Sequence, residues 1–291
     1  MLAQLFAVMA PVLVGASIGF GWIRLGLNYP TEFITKLVFN IGTPALVLAS
    51  LANAEVDPHT FGRTLATTFV VLAGMAVASF GVARLLGRPW QVIISPMMYP
   101  NAGNMGLPVS LYAFGKEGFT FAMTAWVANA LIQFTIGMMM ATRGNPWKAL
   151  ARNPTLYSIA ISLTLLLSGV HLPAWLGNTV HLLSGLTIPL MLITLGVSLA
   201  SIQARSLSSG FLFTLCRVPI ALALSFGIAA WFGLPPVAAS AVALQMSMPV
   251  AVYNYLFAQR SRREPEYVAS LVFCSTVLAF VYLPLELAFM L

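Results

Sequence analysis

The residues best placed to do chemistry in this 291-residue chain fall in two short polar stretches, each embedded in an otherwise apolar run. The first is YPNAGNMGLP, residues 99–108. Pro100 and Pro108 each remove a helix hydrogen bond, Gly103 and Gly106 permit backbone conformations that other residues resist, and Asn101 and Asn104 add polar side chains. The second is QMSMPVAVYN, residues 245–254, where Ser247 is expected to cap a half-helix carrying Pro249 in its first turn. A helix interrupted within hydrocarbon exposes unpaired amides, so such breaks survive only where they are covered by protein or line a watery cavity. If the two breaks cross, their half-helix N-termini direct free N–H groups and positive dipole ends at one point, which suits an anion. The expected anion contacts are Asn101, Asn104, Gln245, Ser247, Pro249 and Asn254, with Pro100, Gly103, Gly106, Pro108 and Pro249 as hinges. Asn40, Thr43 and Pro44, with Thr187 and Pro189, form two further polar kinks expected to flank the site.

Arg217 is the basic residue that lies well inside an apolar run, and a charge there costs about 2.5–3.5 kcal/mol on insertion scales. Two roles are open to it, contact with a negative substrate or donation to helix carbonyls. The acidic residues Glu32, Glu55, Asp57, Glu117, Glu264 and Glu266 fall in loops or at span ends, and Glu286 is expected near the outer end of the last span. A positive centre without a carboxylate favours an anion, although Asn and Ser oxygens with backbone carbonyls are adequate ligands for a hard cation. No nucleophile–base set or carboxylate pair lies within the spans, so an enzyme is not expected, and neither a metal site nor a cofactor is read from the sequence. Cys216 and Cys274 lack CxxC spacing and read as small apolar residues. His59, His171 and His181 read as interfacial.

The elements that must position these residues follow from composition. Hydrophobic residues make up 59% of the chain and charged ones 7%, against about 25% charged in a soluble domain, so a water-facing surface could not be built. The chain breaks into apolar runs of about 20 residues, the length that crosses about 30 Å of hydrocarbon. The fold class is therefore an all-α polytopic membrane protein. Ten spans are expected, at 2–23, 32–53, 60–86, 91–115, 117–141, 153–170, 174–200, 207–232, 235–259 and 266–289. Loops and flanks after the odd-numbered spans hold Arg24, Lys36, Arg84, Arg88, Arg143, Lys148, Arg152, Arg205, Arg260, Arg262 and Arg263, against Arg63 and Lys116 on the other side. That asymmetry puts both termini on the non-cytoplasmic face of the cytoplasmic membrane. The net charge of +7 is thus a topology signal; scattered singly, it does not form a nucleic-acid patch.

The two halves also resemble each other. Pro11 and Pro154, Pro44 and Pro189, Pro108 and Pro249, and Glu117 and Glu264 are each separated by close to half the chain. TPALVLASLA around Pro44 is similar to IPLMLITLGVSLA around Pro189. Residues 1–141 and 153–291 are expected to form two five-helix repeats joined by a short cytoplasmic linker, 142–152. Five is odd, so the second copy inserts upside down, and the broken fourth and ninth spans take corresponding positions. Gly15, Gly19 and Gly21 fit close helix packing or a dimer contact.

These motifs are similar to those of the auxin efflux carrier family, within the bile acid/auxin/arsenite transporter superfamily. The likeness rests on Asn101-x-Gly103-Asn104-x-Gly106-x-Pro108, NPTLYS at 153–158, the Pro249 to Asn254 segment and EPEYVASLVFCSTVLAF at 264–280. The resemblance implies a compact prokaryotic-type member with a five-plus-five fold, crossing fourth and ninth helices and organic-anion substrates. The long central loop of plant members is absent here. The expected function is a secondary active transporter of small organic anions, carboxylates or auxin-like acids, working by alternating access. A sodium-coupled symporter of the same superfamily and an anion channel are the alternatives. Expected partners are the anion, membrane lipid, a coupling proton or sodium ion and, by resemblance, a second copy of the chain; nucleic acid is not among them.

Overall fold

The computed structural model describes residues 2–51, 57–137, 154–168, 170, 172–201 and 207–291. The expected linker 142–152, with Glu55, Arg143, Lys148, Arg152, Asn153, His171 and Arg205, lies outside them. Among the described residues every regular element is helical: α1 Leu2–Arg24, α2 Thr31–Leu37, α3 Thr43–Leu51, α4 Pro58–Leu85, α5 Trp90–Met98, α6 Leu107–Ile132, α7 Pro154–Ser168, α8 Ala174–Ser201, α9 Leu207–Trp231, α10 Pro236–Ser247, α11 Val252–Ser261 and α12 Pro265–Met290. Three π-helical stretches, Val38–Gly42, Ala102–Gly106 and Gln133–Gly137, adjoin α3, α6 and the end of α6. Asp57 opens α4 by accepting the Thr60 N–H at 2.9 Å, and that hydrogen bond holds its carboxyl below the usual carboxylate range.

Among the described residues seven stretches are long and apolar enough to cross a membrane, and the chain is a polytopic membrane protein. Its surface agrees: Val77, Leu215, Val281, Leu285 and Phe289 are exposed, which lipid accepts and water does not, while Trp175 and Trp231 are exposed at helix ends. One of the seven, Ala102–Gly137, covers 36 residues and would extend about 54 Å at 1.5 Å per residue if straight. It is not straight. Gly115 takes φ 63° and ψ −159°, a conformation that only glycine adopts readily, and turns the chain inside α6.

The helices form two groups. In one, α1 packs along α8, and α3 packs against α7 and α8. In the other, α4, α5, α6, α9, α10, α11 and α12 pack against one another. Glycines explain how closely α1 and α8 approach. A Cβ on Gly19 would overlap the Ile193 carbonyl, and one on Gly196 would overlap the Ala16 carbonyl. Gly15 packs on Leu192, whereas Gly21 meets nothing.

Candidate functional site

Both polar stretches interrupt their helices, and the interruptions lie against each other. α5 ends at Met98 and the next helical residue is Ala102; α10 ends at Ser247 and α11 begins at Val252. Between them the two extended segments pair antiparallel, Pro100 opposite Val250. The Asn101 N–H donates to the Pro249 carbonyl at 2.6 Å, and the Ala251 N–H to the Tyr99 carbonyl at 3.2 Å. Each proline sits where no ladder donor is asked of it, the Asn101 and Ala251 amides are taken up across the crossing, and the Val250 N–H donates to Ser275 Oγ at 3.0 Å. This crossing is how the protein keeps irregular backbone in its interior.

Two expectations about the breaks are corrected. Ser247 does not cap the helix after the break; it closes the helix before it, and Pro249 lies in the extended crossing, not in a first helical turn. The first break is also shorter than the 99–108 stretch suggests, because Ala102–Gly106 is already helical and Pro108 falls in the first turn of α6. Gly103 and Gly106 are therefore not needed for an unusual backbone. They are small because Trp126 Nε1 comes within 2.9 Å of where a Cβ on Gly103 would be, and the Gln245 amide fills that place at Gly106.

Arg217, 1% exposed, points its guanidinium into the crossing. It donates to the carbonyls of Pro96 at 3.0 Å, Met246 at 3.1 Å, Ser247 at 3.5 Å and Met248 at 2.7 Å. Those are the orphan carbonyls at the end of α10 and one from α5, so the cation caps one half-helix and ties it to the other. Asn254 does similar work: its Nδ2 donates to the Tyr99 and Ala251 carbonyls, both at 2.9 Å, and its Oδ1 accepts from Ser95. Gln245 donates to Ser110 Oγ at 3.1 Å, joining α10 to α6.

Beside the crossing, between the two helix groups, is a cavity of about 530 Å³. It runs from exposed helix ends at Thr31, Ser201 and Glu266 to Asn101, 4% exposed, and Asn104. Its walls include Thr35, Thr194, Ser198 and Tyr253. The helical stretches beginning at Ala102 and Val252 both start at its closed end, and helix geometry leaves their first N–H groups without intrahelical acceptors. Among the described residues no Lys or Arg lines it. Asn101 Nδ2 is buried and unpartnered, as are Asn129 Oδ1 and Gln133 Nε2 around a small adjoining recess.

Of the expected contacts, then, Asn101 and Asn104 reach the cavity, while Gln245, Ser247, Pro249, Asn254 and Arg217 build the crossing behind it. The flanking kinks divide as well. Thr43 and Thr187 are buried, and Gly42 packs on Thr187, while Asn40 is exposed; neither they nor Pro44 and Pro189 line the cavity. Sequence reasoning missed Thr31, Thr35, Thr194, Ser198 and Tyr253, which carry no proline, glycine or motif signal of their own. It also overlooked the burial of Glu286, whose Oε2 lies 2.7 Å from Ser247 Oγ.

An all-helical, lipid-faced chain with two broken helices crossing at the end of a polar cavity defines a membrane transport protein. Comparison with known proteins agrees. Residues 145–287 match a family described as membrane transport protein. An uncharacterized transporter of Methanothermobacter thermautotrophicus is 26% identical over 264 residues, covering 87% of this chain and 86% of its own. Another, from Methanocaldococcus jannaschii, is 22% identical over 203 residues, covering 66% of each. The second half of the chain is thus similar to membrane transport proteins, in line with the resemblance to the auxin efflux carrier family that its motifs carry.

Proposed function

We propose that the chain is a secondary carrier of small organic anions, carboxylates foremost, working by alternating access. The observation that carries this reading is the crossing at the closed end of the cavity, where two half-helix N-termini and the unpartnered Asn101 side-chain amide converge without a basic side chain among the described residues. Backbone dipoles and amides hold a carboxylate firmly enough to select it and, lacking a full countercharge, let it go again. The substrate would meet Asn101 and Asn104 directly; Arg217, Gln245, Ser247 and Asn254 would act by keeping the crossing in shape.

The remaining architecture is read as ten spans in two inverted five-helix repeats. The turn at Gly115 divides the overlong 36-residue stretch in two, and α5 and α10 become full-length spans once joined to the helices beyond their breaks. In that topology the cavity mouth at Thr31, Ser201 and Glu266 lies on the basic, cytoplasmic side, both termini face outward, and the cleft between the helix groups is an inward-open state. Rocking one group against the other would open the opposite face.

The test is uptake of labelled mono- and dicarboxylates into proteoliposomes, with and without sodium. Saturable uptake stimulated by unlabelled acid inside the vesicle supports a carrier; flux without saturation or counterflow would make it a channel. Strict sodium dependence would select the symporter, for which the neutral oxygens of Thr31, Thr35, Thr194 and Ser198 offer ligands. Failure of every carboxylate with folded protein would remove the substrate class.

A further inference from the structure

Glu286 is the buried carboxylate among the described residues, 7% exposed, and it does not line the cavity. Its Oε2 is 2.7 Å from Ser247 Oγ, at the last residue of α10. Ser247 Oγ is also 3.1 Å from the Leu244 carbonyl. A hydroxyl has one hydrogen and cannot donate to both acceptors. Both contacts are satisfied if Glu286 carries a proton on Oε2 and donates it to Ser247, which then donates its own hydrogen to Leu244.

Two more features agree. Oε1 of Glu286 is buried with no hydrogen-bond partner, tolerable for the carbonyl of a neutral acid and costly for half of an anion. The carboxyl also lies beside the C-terminal end of a half-helix, where partial negative charge disfavours a second negative group. The charged and titratable groups facing Glu286 are Arg217 from α9 and Tyr282 from its own helix. Arg217 is committed to four carbonyls, and Tyr282 donates to the Ser247 carbonyl at 2.9 Å. From α1, which also packs on α12, residues 6–22 include no titratable side chain.

We propose that Glu286 is a proton-binding site: it holds a proton through Ser247 in the arrangement seen here and releases it when the crossing rearranges, coupling substrate movement to proton movement. Loading takes a proton from water onto Oε2, and release returns it to water as the carboxylate becomes ionised. When the crossing shifts, Ser247 withdraws and the anion is left for Arg217 to balance. The coupling half rests on the carrier reading above; the proton site itself does not.

Infrared difference spectroscopy on the purified full-length protein in lipid, titrated through neutral pH, tests the site without any substrate. A protonated-carboxyl carbonyl band present in the wild type and absent in Glu286→Gln is expected. In Ser247→Ala, which keeps the carboxyl, the band should shift in frequency as its hydrogen bond is lost; this variant also serves if Glu286→Gln does not fold. A neutral-pH spectrum with no band, or one unchanged in both variants, overturns the proposal. In proteoliposomes the ratio of pH-gradient-driven uptake to substrate-for-substrate exchange should fall at least fivefold in Glu286→Gln. An unchanged ratio overturns the coupling half, and a band without any carboxylate uptake upholds the site while the carrier reading fails.

Discussion

Asn101 differs from the other polar residues of the crossing because the fold leaves its side-chain nitrogen unused. A hydrogen bond to a charged group contributes about 1.5–3 kcal/mol, so Asn101→Ala should raise the KM for the transported acid by about tenfold or more. Asn104→Ala, on the same wall, should do the same, and neither should move the melting temperature much. Transport at wild-type KM in both would remove them from the site. Arg217 belongs to the opposite class. Arg217→Lys keeps the charge but replaces a planar fork reaching four carbonyls with a single ammonium. Orphaned buried groups cost about 1–3 kcal/mol each, so this variant should lose thermal stability before substrate affinity, read by melting in detergent with and without the acid. The sequence identified both residues as unusual, but type and depth alone could not separate a side chain aimed at a ligand from one aimed at backbone. Pro100 and Pro249 were legible because a proline's missing donor acts locally. Glu286 was not: counted along the chain it lies near a span end, and only the packing of α12 against α10 brings it to Ser247.

At the scale of elements, the breaks and most helix limits could be read from apolar run length and proline position, since those depend on backbone chemistry within a turn or two. What escaped was the reason for individual glycines, which is set by the facing helix. Gly19→Ala would drive a methyl group into the Ile193 carbonyl, backbone against backbone, and the α1–α8 contact would have to open. Overpacking of this kind costs about 1–3 kcal/mol, and melting should register it. Gly21→Ala, two residues away with nothing within 4 Å, is the matched control and should leave the melting temperature unchanged. Equal effects in the two would mean that helix propensity, not the close approach, governs α1.

For the whole molecule the question is which way the cavity faces, because the grouping of helices suits a carrier only if the cleft between the groups is a real entrance. Ser198 is half-buried on the cavity wall, three residues before the exposed end of α8 at Ser201. The chain's two cysteines, Cys216 and Cys274, can be replaced to give a silent background. In that background Ser198→Cys should react with a membrane-impermeant thiol reagent applied from the cytoplasmic side, and saturating carboxylate should slow the reaction. Two arguments, one naming the cytoplasmic end and the other the open end, together predict that sidedness. One is the excess of Lys and Arg in the loops at that end, which acts during insertion; the other is the cavity mouth at Thr31, Ser201 and Glu266, which comes from packing. Labelling from the outer side alone would mean that the basic loops do not mark the cytoplasm in this protein. Labelling from the cytoplasm that the substrate accelerates would instead place Ser198 on a moving wall, exposed further as the groups shift.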